Sequence, residues 1–426
     1  MIILDRALEK RQKEGNPIRV GMVGAGYLGR GITLQIEKYV KGMSLVAISN
    51  RTLFRAERAY REAGVDSIKR VETVVELEES IAMGHHAITD DAILLCEAAG
   101  IDAIIEVTGE VEFGAHVAMK AIENRKHVIL MNAELDATVG PILKVYADRA
   151  GVVISNADGD QPGVMMNLLR FVRTIGLDPV LAGNIKGLQD HYRTPETQRA
   201  YAAHYGLSSK MATSFADGTK ISMENAVVAN ATGFKVGKRG MYGPQCDHVG
   251  EAVSLFPMDQ LLNGGLVDYI LGAEPSPGVF ILGYDEHPLR QHYMNHFKMG
   301  NGPLYAFYVP YHIPHLEVPL TAARAVLFRD AAIAPLAGPV CEVITITKRD
   351  LTAGEVLDGI GGFTCYGTIE NSNICKDETL LPMGLSEGCR LKRDIAKDQA
   401  VAYADIELPQ DRLCDKLSTE QQAYFE

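Results

Sequence analysis

Short apolar runs alternate with longer stretches of helical periodicity between residue 18 and about residue 160. Apolar runs rich in Val and Ile predict strands, and their alternation with helices predicts a parallel, doubly wound sheet. The predicted strands begin at Ile18, Ser44, Ile68, Ala103, His127 and Val152. The predicted helices between them cover residues 32–40, 53–63 and 111–123, with a further one that runs to Glu97 after residues 87–91.

The pattern changes on both sides of this region. Residues 1–16 predict an amphipathic helix ended by Gly15-Asn16-Pro17. After residue 157 the alternation stops, with helices predicted at 164–173 and 221–229, a strand at 180–187, and loops rich in Gly and aromatic residues. From residue 336, short β-like runs between glycines predict a small all-β module, with its clearest strand at 339–347 and a polar tail after residue 408.

We therefore expect an α/β protein of three parts. Residues 1–160 form the doubly wound sheet, residues 161–335 an α+β middle domain, and residues 336–426 the small all-β domain. A chain of 426 residues is long enough for this division.

A glycine-rich turn follows the first predicted strand. Its glycines have the spacing of the dinucleotide-binding fingerprint of Rossmann domains, in the segment Gly24-Ala25-Gly26-Tyr27-Leu28-Gly29. The first glycine permits a tight turn, the second lets a pyrophosphate approach the backbone, and the third lets the helix pack close to the strand. The pyrophosphate is expected to bind the free N–H groups of the helix start.

The end of the second predicted strand indicates which dinucleotide binds. NAD-binding proteins usually carry a carboxylate there for the ribose hydroxyls, whereas this chain has Asn50 and Arg51. Because an Arg pairs with a 2′-phosphate, we expect NADP(H); the alternative is that Arg51 is only a solvated residue at a helix start. Ligands of such sheets lie at the carboxyl ends of the strands, which makes Thr108, Gly109 and Asn132 candidate neighbours of the nicotinamide or ordinary turn residues.

Composition excludes several classes of function. The net charge of −12 argues against nucleic acid and anionic membranes as partners. The seven cysteines include no C-x-x-C pair, which argues against a disulfide framework or structural zinc. The N-terminal residues do not resemble a signal peptide, and no apolar run reaches membrane-spanning length, so we expect a cytoplasmic protein that acts on a small molecule.

The candidate catalytic residues lie after the predicted sheet. Lys186 near a strand end would bind an anionic group or polarise a carbonyl, unless it is a surface lysine. Lys220 and Glu224 are four residues apart at a helix start and share one face, as a substrate clamp with an acid–base group or as a solvated pair. Asp158 and Asp160 would bind a divalent metal with Glu224 or make turns, and turns are favoured because Asp-Gly is a turn signal.

Two histidines, His312 and His315, lie close to a carboxylate in sequence. The proline between them argues against a helical metal site. Orientation of a substrate, or a role in the core, is the favoured interpretation.

The sequence resembles the homoserine dehydrogenase-like oxidoreductases with a C-terminal SAF domain, and among them the 1-deoxy-D-xylulose 5-phosphate reductoisomerase-like (DRL) branch. The resemblance rests on the glycine turn and on four further segments: residues 106–109, 131–136, 156–163 and 346–355. It implies a Rossmann domain, a middle domain that binds substrate and forms a homo-oligomer (dimer or tetramer), a β-clip domain, and a divalent metal such as Mg or Mn that polarises two vicinal oxygens.

Two departures from homoserine dehydrogenases bear on the substrate. Those enzymes have Asn-Lys after the fifth strand, whereas here Ala133 follows Asn132. They also carry an Asp and a Lys four apart, and the matching Lys220 and Glu224 reverse that order. This favours a substrate with an anionic group, such as a sugar phosphate held by Lys186 and Lys220.

We therefore expect an NADPH-dependent oxidoreductase that acts on a small polyol, sugar or sugar phosphate, most concretely in the reductive isomerisation of 1-deoxy-D-xylulose 5-phosphate. The alternatives are a homoserine or related hydroxy-acid dehydrogenase, and a non-catalytic nucleotide- or carbohydrate-binding protein.

Overall fold

A computed structural model describes residues 3–426; the first two residues of the predicted leading helix lie outside this range. The helices in chain order are α1 (Leu4–Lys13), α2 (Tyr27–Tyr39), α3 (Leu53–Glu62), α4 (Val74–Ala82), α5 (Ala92–Glu97), α6 (Val111–Glu123), α7 (Ala133–Ala150), α8 (Gln161–Thr174), α9 (Arg199–Tyr205), α10 (Ser209–Ala216), α11 (Thr219–Thr232), α12 (Met258–Leu262), α13 (Pro288–His296), α14 (Pro314–Phe328), α15 (Ser372–Asp377) and α16 (Leu413–Tyr424).

The strands in chain order are β1 (Ile18–Val23), β2 (Met43–Ser49), β3 (Ile68–Arg70), β4 (His86–Thr89), β5 (Ala103–Glu106), β6 (His127–Leu130), β7 (Ile154–Asn156), β8 (Asp178–Lys186), β9 (Leu266–Leu271), β10 (Gly278–Tyr284), β11 (Leu304–Val309), β12 (Cys341–Thr347), β13 (Cys365–Asn371), β14 (Arg390–Leu391) and β15 (Ile406–Glu407). Among residues 3–426, no helix is both long and apolar enough to cross a membrane.

The chain divides into two compact units. Unit 1 combines Met1–Asp160 with Ile313–Ala334 and Lys416–Tyr424, and unit 2 contains most of the remainder, Gln161–His312 and Pro335–Asp415. The boundary after Asp160 falls where the strand–helix alternation stops. The division differs from the three parts expected from sequence, because residues 335–415 cluster with the middle region and α14 clusters with unit 1.

Unit 1 contains a seven-stranded sheet in the order β3-β4-β2-β1-β5-β6-β7. Every neighbouring pair is parallel, which confirms the predicted doubly wound sheet. The strand order reverses between β1 and β5, so the loops that follow these two strands meet at the switch point where such sheets bind ligands. The buried core includes Ile32 and Ile36 of α2 and Val318 and Ala322 of α14.

Helix α7 is interrupted by Pro141 but stays helical because α16 repairs the break. Asn132 caps its start by accepting a hydrogen bond from the Leu135 N–H at 3.0 Å. Around the proline, the Ile142 N–H donates to Gln421 Oε1 (3.1 Å), and Gln421 Nε2 donates to the Thr138 carbonyl (3.2 Å). Residues 138 and 142 would bond to each other in a regular helix, so the Gln421 amide replaces the missing turn bond.

Unit 2 contains a mixed four-stranded sheet in the order β11-β10-β8-β9. Only the β8–β9 pair is parallel. The same unit contains the antiparallel pairs β12–β13 and β14–β15, which lie in the C-terminal segment where β structure was expected. Helix α11 packs against β9 and against β12 and β13, so elements distant in sequence surround it.

Several elements differ from the sequence-based expectation. The strand β4 and the helix α4 were not predicted, and residues 133–150 form α7, where no helix was predicted. The loops expected after residue 230 contain β9, β10 and β11. The expected polar tail was wrong: residues 413–424 form α16, whose Cys414, Leu417 and Gln421 are buried.

Removal of the Gln421 amide should destabilise unit 1. Gln421→Ala leaves the buried Ile142 N–H and Thr138 carbonyl without partners, a loss of roughly 1 to 3 kcal/mol in unfolding free energy. Gln422→Ala, at an exposed neighbouring position, is the matched control and should leave stability unchanged. Denaturant titration followed by circular dichroism measures both; equal midpoints for the two variants would contradict the bridging role.

The stability of unit 1 should also depend on Asp136 in α7. Burial raises the pKa of this carboxyl to about 7, opposed by the hydrogen bond from Asn156 Nδ2. Because the folded-state pKa lies above the unfolded value of about 3.9, the associated stability is complete below about pH 3.9 and is lost as pH rises to about 7.

Asp136→Asn mimics the protonated acid and should abolish this loss. Relative to the native protein, the variant should gain roughly 3 kcal/mol of stability between about pH 5 and pH 7, at about 1.4 kcal/mol per pH unit, and no more above pH 7. Asp148→Asn, at an exposed position of the same helix, is the control, and its unfolding free energy should change with pH as that of the native protein does. Denaturant titrations across this pH range measure the unfolding free energy. If its pH dependence is the same in Asp136→Asn as in the native protein, Asp136 is not the group responsible.

Candidate functional site

The predicted dinucleotide turn links β1 to α2, and its glycines have the geometry that the spacing requires. Gly24 has φ +111°, a conformation that favours glycine. A Cβ on Gly29 would lie 2.6 Å from the Gly24 carbonyl oxygen, so the third glycine permits the close helix approach. A Cβ on Gly26 would meet nothing within 4 Å, and Gly26 is exposed. The turn therefore presents open space at the start of α2, which fits a bound pyrophosphate.

The remaining residues of the turn divide between core and surface. Ala25 is buried and donates its N–H to Asn50 Oδ1 at 3.1 Å. Tyr27 is exposed and Leu28 half-buried. The other end of the Asn50 amide donates to the Thr52 carbonyl at 2.9 Å. Asn50 thus ties the end of β2 to the glycine turn, and the next residue, Arg51, is exposed.

A buried carboxylate, Glu106, connects the two loops that follow β5 and β6. Its Oε1 accepts hydrogen bonds from the backbone N–H (2.9 Å) and the hydroxyl of Thr108. Its Oε2 accepts from Asn132 Nδ2 at 2.8 Å. Burial raises the pKa of Glu106, while the Thr108 and Asn132 hydrogen bonds oppose that rise. Gly109, the residue after Thr108, has φ +73°, and a Cβ built on it would meet nothing within 4 Å.

Unit 2 brings Lys186, Lys220 and Glu224 into electrostatic range of one another. Lys186 ends β8 and is half-buried, whereas Lys220 and Glu224 lie one turn apart on α11. Burial lowers the pKa of Lys186; the attraction of Glu224 opposes that shift, and the positive charge of Lys220 adds to it. A lysine with a lowered pKa beside a second cation and a carboxylate is typical of proton transfer or anion binding.

A buried amide, Asn184, contacts Glu224 and is itself bonded to two further buried amides. Asn184 precedes Lys186 by two residues on β8, so both side chains point to the same face of the sheet. Asn184 Nδ2 donates to Glu224 Oε2 (3.1 Å) and to Gln161 Oε1, and its Oδ1 accepts from Asn225 Nδ2 (2.7 Å). These contacts hold the Glu224 carboxylate against β8 and provide a polar wall beside Lys186.

Asp158, expected to make a turn or to bind a metal, with the turn favoured, accepts hydrogen bonds from two side chains of α14. Asp158 Oδ1 accepts from Arg324 Nη1 at 2.9 Å, and its Oδ2 accepts from the Thr321 hydroxyl at 2.9 Å. Asp158 therefore holds α14 within unit 1, and Asp160, the last residue of the first stretch of that unit, is buried. Within residues 3–426, no group of three or more His, Cys, Asp and Glu side chains is arranged to hold a metal ion.

One of the two histidines noted in the sequence has a packing role. The His315 ring lies against α2, where a Cβ on Gly31 would be 2.8 Å from its Cδ2. Burial lowers the pKa of His315, which favours the neutral ring. This agrees with the interpretation of His315 as a residue of the core.

Sequence reasoning overlooked several residues of these sites, namely Glu106, Gln161, Asn184 and Asn225. Glu106 entered the sequence analysis only within the segment 106–109, although a carboxylate that ends a buried parallel strand is itself an unusual feature. Asn184 was likewise a polar interruption of an apolar run. Gln161 and Asn225 carried no comparable signal.

Comparison with known proteins agrees with this geometry. Residues 159–318 match the family model for the catalytic domain of the oxidoreductase DRL. A homoserine dehydrogenase from Methylobacillus glycogenes is 28% identical over 121 residues, which make up 28% of this chain and 26% of that relative. These matches support the resemblance to homoserine dehydrogenase-like oxidoreductases over the parts of the chain that they cover.

Two solved structures are also similar to this chain. A probable dehydrogenase from Thermotoga maritima has 13% identity and a TM-score of 0.40, covering 63% of this chain and 73% of that one. A scyllo-inositol dehydrogenase from Lactobacillus casei, with bound NAD(H) and scyllo-inositol, has 14% identity and a TM-score of 0.37, covering 63% and 74%.

Glu106→Gln should weaken the binding of reduced nucleotide to unit 1. The new amide must turn its NH2 group toward either the Thr108 donors or the Asn132 donor, which loosens both loops. Loss of one hydrogen bond to a charged group, about 1.5 to 3 kcal/mol, corresponds to roughly a tenfold or larger rise in Kd for NADPH. Fluorescence titration with NADPH measures the change. The control is Glu110→Gln, an exposed position just before α6, which should bind NADPH as the native protein does. Equal NADPH affinities of the two variants would contradict the role of Glu106.

Proposed function

We propose that this protein is an NADPH-dependent oxidoreductase that acts on a small polyol, sugar or sugar phosphate. The observation that carries the proposal is the pair of lysines beside Glu224, in which Lys186 has a lowered pKa. Two cations next to a carboxylate suit a substrate that has both an anionic group and a reacting oxygen. Reductive isomerisation of 1-deoxy-D-xylulose 5-phosphate to 2-C-methyl-D-erythritol 4-phosphate is the most concrete version.

The glycine turn supports a nicotinamide dinucleotide in unit 1, because Gly26 leaves room for the pyrophosphate. Arg51 would pair with the 2′-phosphate of NADP(H), since no carboxylate stands at the end of β2 to repel it. The Thr108–Gly109 loop and Asn132, held by Glu106, would contact the nicotinamide half. When bound, the nucleotide supplies the hydride that reduces a carbonyl carbon.

The two lysines and Glu224 would donate the proton and bind the polar groups of the substrate. In the direction of reduction, the carbonyl oxygen gains a proton, and the Lys186 ammonium is the donor that burial has made more acidic. Lys220 would bind the anionic end of the substrate, and Glu224 would accept a hydrogen bond from a substrate hydroxyl. Asn184, Gln161 and Asn225 would keep that carboxylate in place.

Oxidation of homoserine is the second candidate, favoured by the similarity to the Methylobacillus glycogenes enzyme. The order of Lys220 and Glu224 along α11 counts against it, as does Ala133 after Asn132. A substrate panel separates the two candidates.

The test follows NADPH oxidation with 1-deoxy-D-xylulose 5-phosphate and with other sugar phosphates and uncharged sugars, with and without Mg²⁺, and NADP⁺ reduction with homoserine. We expect turnover with a phosphorylated substrate. Lys220→Ala should lower kcat/KM by roughly a hundredfold or more, in the range for a lost charge-assisted contact. Arg51→Ala should raise the KM for NADPH about tenfold and leave that for NADH unchanged.

Lys235→Ala, which removes a lysine outside α11, is the matched control and should behave as the native protein. Turnover with homoserine alone would establish the second candidate. NADPH binding without turnover on any substrate would indicate a nucleotide- or carbohydrate-binding protein, and failure to bind either nucleotide would overturn the proposal.

A further inference from the structure

A buried lysine of the C-terminal segment, Lys348, joins three separate parts of unit 2. Its ammonium donates hydrogen bonds of 2.8 Å to Asp217 Oδ2, the Arg193 carbonyl and the Gly362 carbonyl. Lys348 is 6% exposed and Asp217 fully buried. An ammonium has three donors, so all of them are satisfied here without water. Lys348 therefore ties the loop after β8, the link between α10 and α11 and the turn before β13 to one point.

The same segment holds the first turn of α11. Asp217 Oδ1 accepts from the Thr219 N–H at 2.9 Å, and the Thr219 hydroxyl accepts from the Gly367 N–H of β13 at 2.8 Å. Lys220 is the next residue, and Glu224 follows one turn later. The position of both residues along α11 thus depends on contacts with residues 348–367.

The loop after β8 is also held by contacts with the end of α10 and with β13. The Asp190 N–H donates to the Ala216 carbonyl at 2.8 Å, and His191 Nδ1 lies 2.8 Å from the Asp217 carbonyl oxygen. The His191 ring stacks on Tyr366 of β13, with centroids 4.4 Å apart. This loop begins directly after Lys186, so both elements that carry the candidate catalytic residues converge on the Lys348–Asp217 pair.

We propose that Lys348 and Asp217 are positioning residues for the candidate active site: the C-terminal β segment sets the distance between Lys186 on β8 and the Lys220–Glu224 pair on α11. This inference rests on the proposed function. It assigns to the C-terminal segment a role in catalysis without contact with substrate.

The physical argument is that a buried ion pair with complete hydrogen bonding has one arrangement rather than many. Loss of either partner leaves a charge buried without compensation, and the surrounding loops must move to bring water to it. The loops that move are those next to Lys186 and Lys220. Because proton transfer and phosphate binding require placement within a fraction of an ångström, such a movement changes the chemistry before it unfolds the unit.

The test compares Lys348→Met, the charge-neutral double variant Lys348→Met/Asp217→Asn, and the control Lys376→Met, which changes an exposed lysine of the same segment. Hydrogen exchange by mass spectrometry reports residues 187–198 and 219–224, NADPH fluorescence titration reports nucleotide binding, and kcat is measured across pH. Thr219→Val, which removes only the hydroxyl contact with Gly367, serves if Lys348→Met does not fold.

Lys348→Met should speed exchange in both segments roughly tenfold or more and leave the Kd for NADPH within about twofold. Its kcat should fall about tenfold or more, and the pH at half-maximal kcat should move by about half a unit, because the field around Lys186 changes. A loss of folded protein alone lowers kcat without moving the pH profile. The double variant should show smaller changes, and Lys376→Met none.

Unchanged exchange in residues 219–224 would overturn the inference, as would a lower kcat with an unmoved pH profile. These outcomes are separable from failure of the proposed function: a native protein that turns over no substrate refutes that function, whereas the exchange measurement still decides whether Lys348 holds α11.

Discussion

The approach of α2 to the turn that precedes it is the contact on which the ligand-binding edge of unit 1 depends. With 2.6 Å between a hypothetical Cβ on Gly29 and the Gly24 carbonyl oxygen, no side chain fits at that position. Only this close approach lets the first N–H groups of the helix point out of the turn over Gly26. The neighbouring loops then follow: Asn50 is bonded to the turn, and Glu106 fixes the loops after β5 and β6 at the same edge of the sheet.

The features that sequence predicts well are those with a local physical cause. The glycine spacing predicts a backbone conformation, and the apolar runs of β1, β2 and β5 predict buried parallel strands. Helix α7 was missed because Gly140 and Pro141 argue locally against a helix, and only the distant Gln421 amide compensates for the break. Helix α16 was missed because few apolar residues occur among its polar positions, so its buried face is evident only from the packing of Leu417 and Cys414.

The candidate site in unit 2 shows the same limit. Sequence spacing places Lys220 and Glu224 on one face of a helix, which the structure confirms. It does not indicate that Lys186 faces them, because that depends on how β8 and α11 pack. In unit 1, Asp158 was expected to make a turn or to bind a metal, with the turn favoured, and local sequence did not indicate that Arg324 and Thr321 would donate hydrogen bonds to its carboxylate. A local sequence pattern does not indicate that a charged residue is paired with a residue far away in the sequence.

The Gln421 bridge also has a consequence for the order in which the protein forms during synthesis. Unit 1 is assembled from three stretches, and all of residues 161–312 and 335–415 are made before the ribosome reaches position 421. Until then, the Ile142 N–H and the Thr138 carbonyl of α7 lack the Gln421 amide as a partner. The first strands to be made therefore belong to the unit that is completed last. The inserted unit, whose residues are contiguous apart from α14 and its neighbours, can close earlier. Completion of α7 therefore waits for the last stretch of unit 1, which is made only after residues 161–312 and 335–415.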